Sequence, residues 1–180
     1  MRVIAGSARG VPLSPLRGRG TRPITDRVKE TLFAILGERV PDSRVIDLYA
    51  GSGAIGIEAL SRGAASVDFV ERDRSALSAI RDNLARTRLE TGARVHGLEV
   101  ERYLGRSAGG PWDLAILDPP YEVRDIVAPL RALVPHLAGS ASVVIKHFWR
   151  AEPPSVERLV LDRQRRFGET MLTFLALEDA

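Results

Sequence analysis

The sequence predicts an α/β domain built on a mostly parallel sheet with helices on both faces. Three observations carry that expectation. From residue 44 onward, short and nearly all-apolar runs alternate with stretches of helical periodicity, and strands covered on both faces read as continuous apolar runs. A glycine-rich segment joins the first apolar run to its helix, which is where open parallel sheets bind ligands. Near the C-terminus the alternation stops, and segments 156–161 and 170–177 follow each other with no helix between them, as an antiparallel pair closing one edge would.

Each element has its own justification. Val3-Ile4-Ala5 and Val11-Pro12-Leu13 are apolar runs joined across Gly6 and Gly10, so a β-hairpin is expected. Residues 17–23 have nothing apolar to bury and read as a link. Thr25 or Asp26 can cap a helix whose Val28, Leu32, Ile35 and Leu36 share one face and which Gly37 or Pro41 stops. Strands are then expected at 45–49, 66–71, 93–97, 114–117 and 142–145, with helices at 55–61, 74–88, 99–104 and 126–137. Residues 1–22 form a basic arm and 23–180 the main domain in this reading.

Composition narrows the function classes. The chain has 180 residues, 44% hydrophobic and 27% charged, which suits one globular domain with an appendage. It has no cysteine, which excludes a disulfide scaffold, a thiol nucleophile and a Cys-ligated metal; no metal site is expected. No apolar window is long enough for a membrane span or an export signal, so the cytoplasm is the expected compartment and no membrane partner is expected. The net charge is only +3, but residues 1–22 hold Arg2, Arg9, Arg17, Arg19 and Arg22 with no acid. Such a segment suits phosphate contacts; a merely solubilising tail is the alternative.

The chemistry concentrates in two places. Asp47-Leu48-Tyr49-Ala50-Gly51-Ser52-Gly53-Ala54-Ile55-Gly56 is a glycine-rich strand-to-helix turn. Gly51 and Gly53 permit a tight turn against a ligand, and Gly56 permits close helix packing. Glu71 ends the second strand twenty residues after Gly51, where an acid can accept two ribose hydroxyls. Asp47 would repel a pyrophosphate and suits a cationic amino group. The second place is Asp118-Pro119-Pro120-Tyr121 after the fourth strand. Consecutive prolines fix the backbone and leave carbonyls free to accept, so Asp118 and the Pro119 carbonyl can receive the hydrogens of an exocyclic amine while Tyr121 stacks on its base. An aryl amine is a poor nucleophile, and fixed acceptors align it with an electrophilic methyl group.

These motifs resemble class I S-adenosylmethionine-dependent amino-methyltransferases, which have a Rossmann-like fold. More narrowly, Arg2-Val3-Ile4-Ala5-Gly6, the stretch from Arg22-Pro23 through Thr25-Asp26-Arg27-Val28-Lys29-Glu30 to Phe33, the glycine turn and Glu58-Ala59-Leu60-Ser61-Arg62-Gly63-Ala64 are similar to the bacterial small-subunit rRNA guanine-N2 methyltransferases. The resemblance runs from residue 2 to about 177. It implies a seven-stranded sheet with its last strand antiparallel, and methylation of one guanine in 16S rRNA within an assembling small subunit; a monomer is expected. It also implies that S-adenosylmethionine is held by Asp47, Tyr49, Gly51, Ser52, Gly53, Glu71, Arg72, Glu99 and Val100. Asp118, Pro119, Pro120 and Tyr121 are then catalytic, and Arg2, Arg9, Arg17, Arg19, Arg22 and Arg27 are the RNA contacts.

Two positions depart from the family pattern. Glu99 is longer than the Asp or Asn usual near adenine, and Lys146-His147 stands where an acidic residue is common. The histidines read as surface or partnerless residues, and Trp112 and Trp149 as packing residues, with RNA stacking as the alternative. Arg158, Arg163, Arg165 and Arg166 form a second basic cluster, expected around a turn between the last strands. Competing readings are an adenine-N6 methyltransferase acting on DNA, a nicotinamide-dependent oxidoreductase, and a non-catalytic RNA-binding assembly factor.

Overall fold

Thr25 opens the first helix: its Oγ1 accepts a hydrogen bond from the Val28 amide at 3.3 Å, and Gly37 closes α1 (Asp26–Leu36) with a positive φ of 51°. The computed structural model describes residues 1–16, 24–106, 109–120 and 125–178, and all statements concern these. After α1 come β1 (Arg44–Leu48), α2 (Ala54–Ser61), β2 (Ser66–Glu71), α3 (Arg74–Thr87), β3 (Ala93–Gly97), α4 (Val100–Gly105), β4 (Trp112–Leu117), α5 (Val127–Leu133), β5 (Leu137–Phe148), β6 (Leu159–Phe167) and β7 (Thr170–Leu177). The strands form one sheet in the order β3-β2-β1-β4-β5-β7-β6. Neighbours from β3 to β5 are parallel, and β7 runs antiparallel to both β5 and β6. This is the Rossmann-like seven-stranded arrangement with its last strand reversed.

Side chains that alternate along the central strands enter two cores. Val45, Val67, Phe69, Leu114, Ile116 and Val144 face α1, α2 and α3, whereas Ile46, Leu48, Val70, Ala115, Leu117 and Val143 face α4 and α5. Gly56 lets α2 sit close on β2, because a Cβ there would lie 2.3 Å from the Phe69 ring. The strand order reverses at β1/β4, and in open parallel sheets such a switch point leaves a ligand crevice at the strands' carboxyl ends.

The N-terminal segment makes an antiparallel bridge between Arg2 and Pro12, with Val3 and Val11 joined amide to carbonyl at 3.0 Å. It is not separate from the domain. Val3 and Leu13 are buried in the α1–α3 core, and the Ile4 and Ala5 amides donate to the two carboxylate oxygens of Glu58 on α2 at 2.8 and 3.0 Å. The hairpin expected as an arm therefore supplies part of the hydrophobic core, while link residues 17–23 lie outside the described residues.

α5 ends at Leu133, short of the helix expected to 137, and β4 begins at Trp112, two residues early; two further elements differ more. β5 is twelve residues long instead of the four expected, since β7 gives it pairing partners out to Phe148. β6 spans Leu159–Phe167 rather than 156–161, so Arg163, Arg165 and Arg166 lie on the strand and not in a turn. The pattern fails there because β6 is an edge strand with mostly exposed side chains, and apolar content no longer marks it. A bulge shifts its register between Leu161 and Arg163.

Candidate active site

The turn after β1 is built from left-handed backbone. Gly51 has φ 57° and Gly53 has φ 77°, which glycine adopts freely; Tyr49 at φ 61° does so at a cost of about 1–3 kcal/mol. The strain at Tyr49 has no counterpart in the glycine pattern. The Gly53 amide donates to the Ala50 carbonyl at 2.8 Å and the Ala50 amide to Val70 at 3.1 Å, so the turn is tied to β2. Gly51 and Ser52 within it are half-buried.

Asp47 lies at the base of the turn and is almost wholly buried. Its Oδ2 accepts from the Gly56 amide at 2.9 Å, and its Oδ1 has no hydrogen-bond partner among the described residues. Burial pushes the Asp47 carboxyl well above the usual range; the Gly56 amide opposes this, and the charges of Asp118 and Glu71 add to it. A buried carboxylate oxygen without a donor is costly unless a ligand supplies one. A cationic amino group is the ligand chemistry that meets this need, whereas a pyrophosphate would be repelled.

Glu71 is engaged differently from the sequence expectation of a carboxylate reserved for ribose. Its Oε2 accepts from the Gly51 amide at 2.9 Å, and its Oε1 accepts from the Arg72 and Asp73 amides at 2.8 and 2.9 Å. Glu71 thus shapes the turn, and the remaining lone pairs of a carboxylate stay available to hydroxyls. Arg72 and Glu99 form an exposed pair at 3.2 Å beside it. Val100 is buried in the α4 core, and the Tyr49 hydroxyl donates to Glu101 at 3.4 Å. Asp47, Tyr49, Gly51, Ser52, Gly53 and Glu71 are thereby joined through one turn, while Glu99 and Arg72 lie at its rim and Val100 behind it.

Asp118 follows β4 directly, and its amide donates to the Leu48 carbonyl at 3.3 Å, which brings it beside Asp47 at the switch point. Pro119 is half-buried and Pro120 exposed; Tyr121 lies outside the described residues. Asp118 Oδ1 meets the Lys146 ammonium at 2.6 Å. Burial raises the Asp118 carboxyl and Lys146 pulls it back. Lys146 is a contact the motif alone does not announce. Its sequence signal is register: Leu117 pairs with Ile145, so the next residues of the two parallel strands are Asp118 and Lys146.

A second unannounced residue is Asn83 on α3, fully buried. Its Nδ2 donates to the carbonyls of Ser52 at 3.0 Å and Ser14 at 3.1 Å, while its Oδ1 accepts from the Ser14 amide at 2.8 Å. One side chain thus ties the glycine turn to the N-terminal segment. Of the expected RNA contacts, Arg2, Arg9 and Arg27 are exposed; Arg2 also approaches Asp26 at 3.4 Å. Arg17, Arg19 and Arg22 lie outside the described residues.

The remaining candidates sort by contact. His96 and the Trp112 indole N–H both reach the buried Asp68 carboxylate, at 2.8 and 2.9 Å, so both are structural. Trp149 is covered by the Arg166 guanidinium, 3.6 Å from its ring centroid. His147 meets the Thr173 hydroxyl at 2.7 Å on the sheet face opposite Lys146.

A Rossmann-like α/β methyltransferase is the class this strand order and this pair of strand ends define. The chain belongs to the family described as conserved hypothetical protein 95, whose pattern matches residues 1–176. It is 38% identical over 175 residues to the Bacillus subtilis protein named "Putative rRNA methyltransferase YlbH", covering 94% of this chain and 95% of that protein. It is 40% identical over 121 residues to the Escherichia coli ribosomal RNA small subunit methyltransferase D, a match covering 67% of this chain and 60% of that one. A solved structure described as "Putative methyltransferase yhhF from Escherichia coli" superimposes with a TM-score of 0.88 at 31% identity over the whole chain.

Proposed function

We propose that this chain transfers a methyl group from S-adenosylmethionine to the exocyclic N2 amine of one guanine in 16S rRNA, presented by an assembling small subunit. The chain is an rRNA methyltransferase by family, and the names of its relatives in Bacillus subtilis and Escherichia coli support the substrate class. The single observation that carries the site reading is the adjacency of two carboxylates at the β1/β4 switch point: Asp47, with one oxygen lacking a donor, and Asp118, heading the Pro-Pro segment. A dinucleotide reading explains neither.

The residues fit the cofactor by the chemistry of their donors and acceptors. Asp47 Oδ1 would accept from its amino group and Glu71 from its ribose hydroxyls, and the left-handed turn would allow close backbone approach. When bound, S-adenosylmethionine supplies the electrophilic methyl group. Asp118 and the Pro119 carbonyl hold the target amine by its hydrogens, and Tyr121 stacks on the base. As the N–C bond would form and the methyl carbon's bond to the cofactor sulfur break, positive charge would develop on the amine nitrogen, and the Asp118 carboxylate would stabilise it. The nitrogen then releases one proton to solvent. The exposed Arg2, Arg9 and Arg27, with Arg17, Arg19 and Arg22, bind the rRNA backbone and orient the loop. A cytoplasmic monomer is consistent with this substrate; no helix among the described residues is long and apolar enough to cross a membrane.

The test is single-turnover methyl transfer to small subunits isolated from a strain lacking the enzyme. Asp118→Ala is expected to keep cofactor affinity by calorimetry and lose most of the transfer rate. Near-native turnover overturns the catalytic assignment, and mass mapping that finds N6-methyladenine in place of N2-methylguanine overturns the substrate.

A further inference from the structure

Lys146 is one of two lysines in a chain that otherwise uses arginine, and it lies in the same crevice as Asp118. Both side chains are largely withdrawn from solvent, with 16% of the lysine and 23% of the aspartate exposed. The contact is 2.6 Å, between the residues that follow the Leu117–Ile145 pair of two adjacent parallel strands. A pair held this way by two strand backbones has little rotamer freedom. Among the described residues, Asp118 Oδ2 makes no hydrogen bond.

We infer that Lys146 is a positioning residue for methyl transfer: its ammonium grips Asp118 Oδ1 and orients the carboxylate, leaving Oδ2 as acceptor for the target amine. This rests on the proposed role of Asp118. A carboxylate withdrawn from solvent tends toward its neutral form, and a protonated Asp118 would offer the amine a donor where an acceptor is needed. Burial and Lys146 are the two influences that move Asp118, in opposite directions. The charged groups around it can be named from each element. Asp47 faces it from β1 and Lys146 from β5, while Glu71 couples to Asp47 from β2. Glu58 on α2 is occupied by Lys29 and Arg62, and His147 is turned to Thr173 on the far face.

The pairing also limits what Asp118 can do. A carboxylate neutralised by an ammonium is a weak base, so it accepts a hydrogen bond from the amine without removing its proton before the methyl group arrives. The proton leaves after N–C bond formation, when the amine nitrogen is cationic and acidic. A lysine serves here better than an arginine, because a compact ammonium takes one oxygen whereas a guanidinium tends to take both.

The experiment compares wild type, Lys146→Met and Lys146→Arg in the full chain. In Lys146→Met, carboxyl-labelled aspartate followed by NMR in the cofactor-free protein should show Asp118 titrating at higher pH. The acid limb of the single-turnover rate should move up by the same amount, with cofactor affinity by calorimetry unchanged. A shift of one pH unit lowers the rate about tenfold on that limb. Lys146→Arg should restore the Asp118 titration while recovering only part of the rate. A folded Lys146→Met protein with native Asp118 titration and a native pH profile overturns the inference, leaving a purely structural ion pair. If Asp118→Ala retains turnover, the Asp118 role fails instead, while the titration shift in Lys146→Met still reports on the pair.

Discussion

Glu58 meets Lys29 at 2.9 Å where neither side chain touches solvent, and this pair joins three segments of the chain. The Lys29 ammonium also donates to the Arg2 carbonyl at 2.6 Å, and Glu58 further accepts from Ile4, Ala5 and Arg62. Burial raises the Glu58 carboxyl, but the Ile4 amide, Lys29 and Arg62 outweigh it and hold it below the usual glutamate range. Breaking such a pair leaves an uncompensated buried charge, which costs about 3–5 kcal/mol. Lys29→Met should therefore lower unfolding stability by that order in urea denaturation, and the double variant Lys29→Met/Glu58→Gln by less than the sum of the two singles. Because the folded Glu58 titrates below its unfolded value, its contribution is present above the unfolded pKa and is lost as pH falls through the folded one. A Lys29→Met variant with native stability would show that the pair contributes nothing net.

Asp47 predicts the opposite balance between stability and binding. Its carboxyl is raised by burial, so ionised Asp47 costs the cofactor-free fold stability once pH exceeds its unfolded pKa. Asp47→Asn should stabilise the free protein, seen as a higher Tm, while weakening S-adenosylmethionine at least tenfold, about 1.4 kcal/mol. Wild-type affinity should rise with pH until the free carboxyl is fully ionised and fall below that point. Unchanged affinity in Asp47→Asn would remove Asp47 Oδ1 from the cofactor site.

Glu71 combines two roles that its substitutions can separate. Glu71→Gln keeps one oxygen to accept from backbone amides but offers an amide group in place of the second acceptor. Each lost charge-assisted bond is worth roughly 1.5–3 kcal/mol, on ground and transition states alike. Cofactor affinity should therefore fall with the methyl-transfer rate at saturation nearly native. If saturation fails to restore the rate in Glu71→Gln, the bond to the Gly51 amide matters for the reacting geometry as well.

The basic N-terminal segment is better tested by charge removal than by truncation. Val3 and Leu13 are core residues, so deletion of 1–22 is expected to unfold the protein rather than isolate RNA binding. Replacing Arg2, Arg9, Arg17, Arg19 and Arg22 by glutamine should leave cofactor binding intact. It should also flatten the dependence of log rRNA affinity on log salt by roughly 0.7 per lost single-stranded phosphate contact. An unchanged slope would move RNA binding elsewhere, first to Arg163, Arg165 and Arg166.

Most of the sheet was legible because central strands are buried on both faces. β2 and β3 agree with expectation at both ends, and Asp47, Gly51, Gly53 and Asp118 fall at the switch point where the motif spacing put them. What escaped was long-range or exposed. β6 is polar from Asp162 to Arg166, and nothing local extends the expected strand past Leu161. The left-handed Tyr49 is imposed by its neighbours, not by its own preference. Asn83 and Lys146 matter through partners 31 and 28 residues away, Ser52 and Asp118, and such distances carry no periodicity. The N-terminal segment looked detachable since its charge is conspicuous and the buried carboxylate that receives its amides lies more than fifty residues on.

The bulge in β6 has a consequence for how copies of this protein behave in a crowded cell. An outermost strand offers unpaired amides and carbonyls to any similar strand, and Val160 and Leu161, 41% and 53% exposed, would make such docking adhesive. The register shift after Leu161 bends the strand out of line, and Arg163, Arg165 and Arg166 follow directly. A second copy adding edge to edge would meet a kinked template and like charge, which favours dispersed molecules over fibrous assemblies. The same arginines would still attract a polyanion.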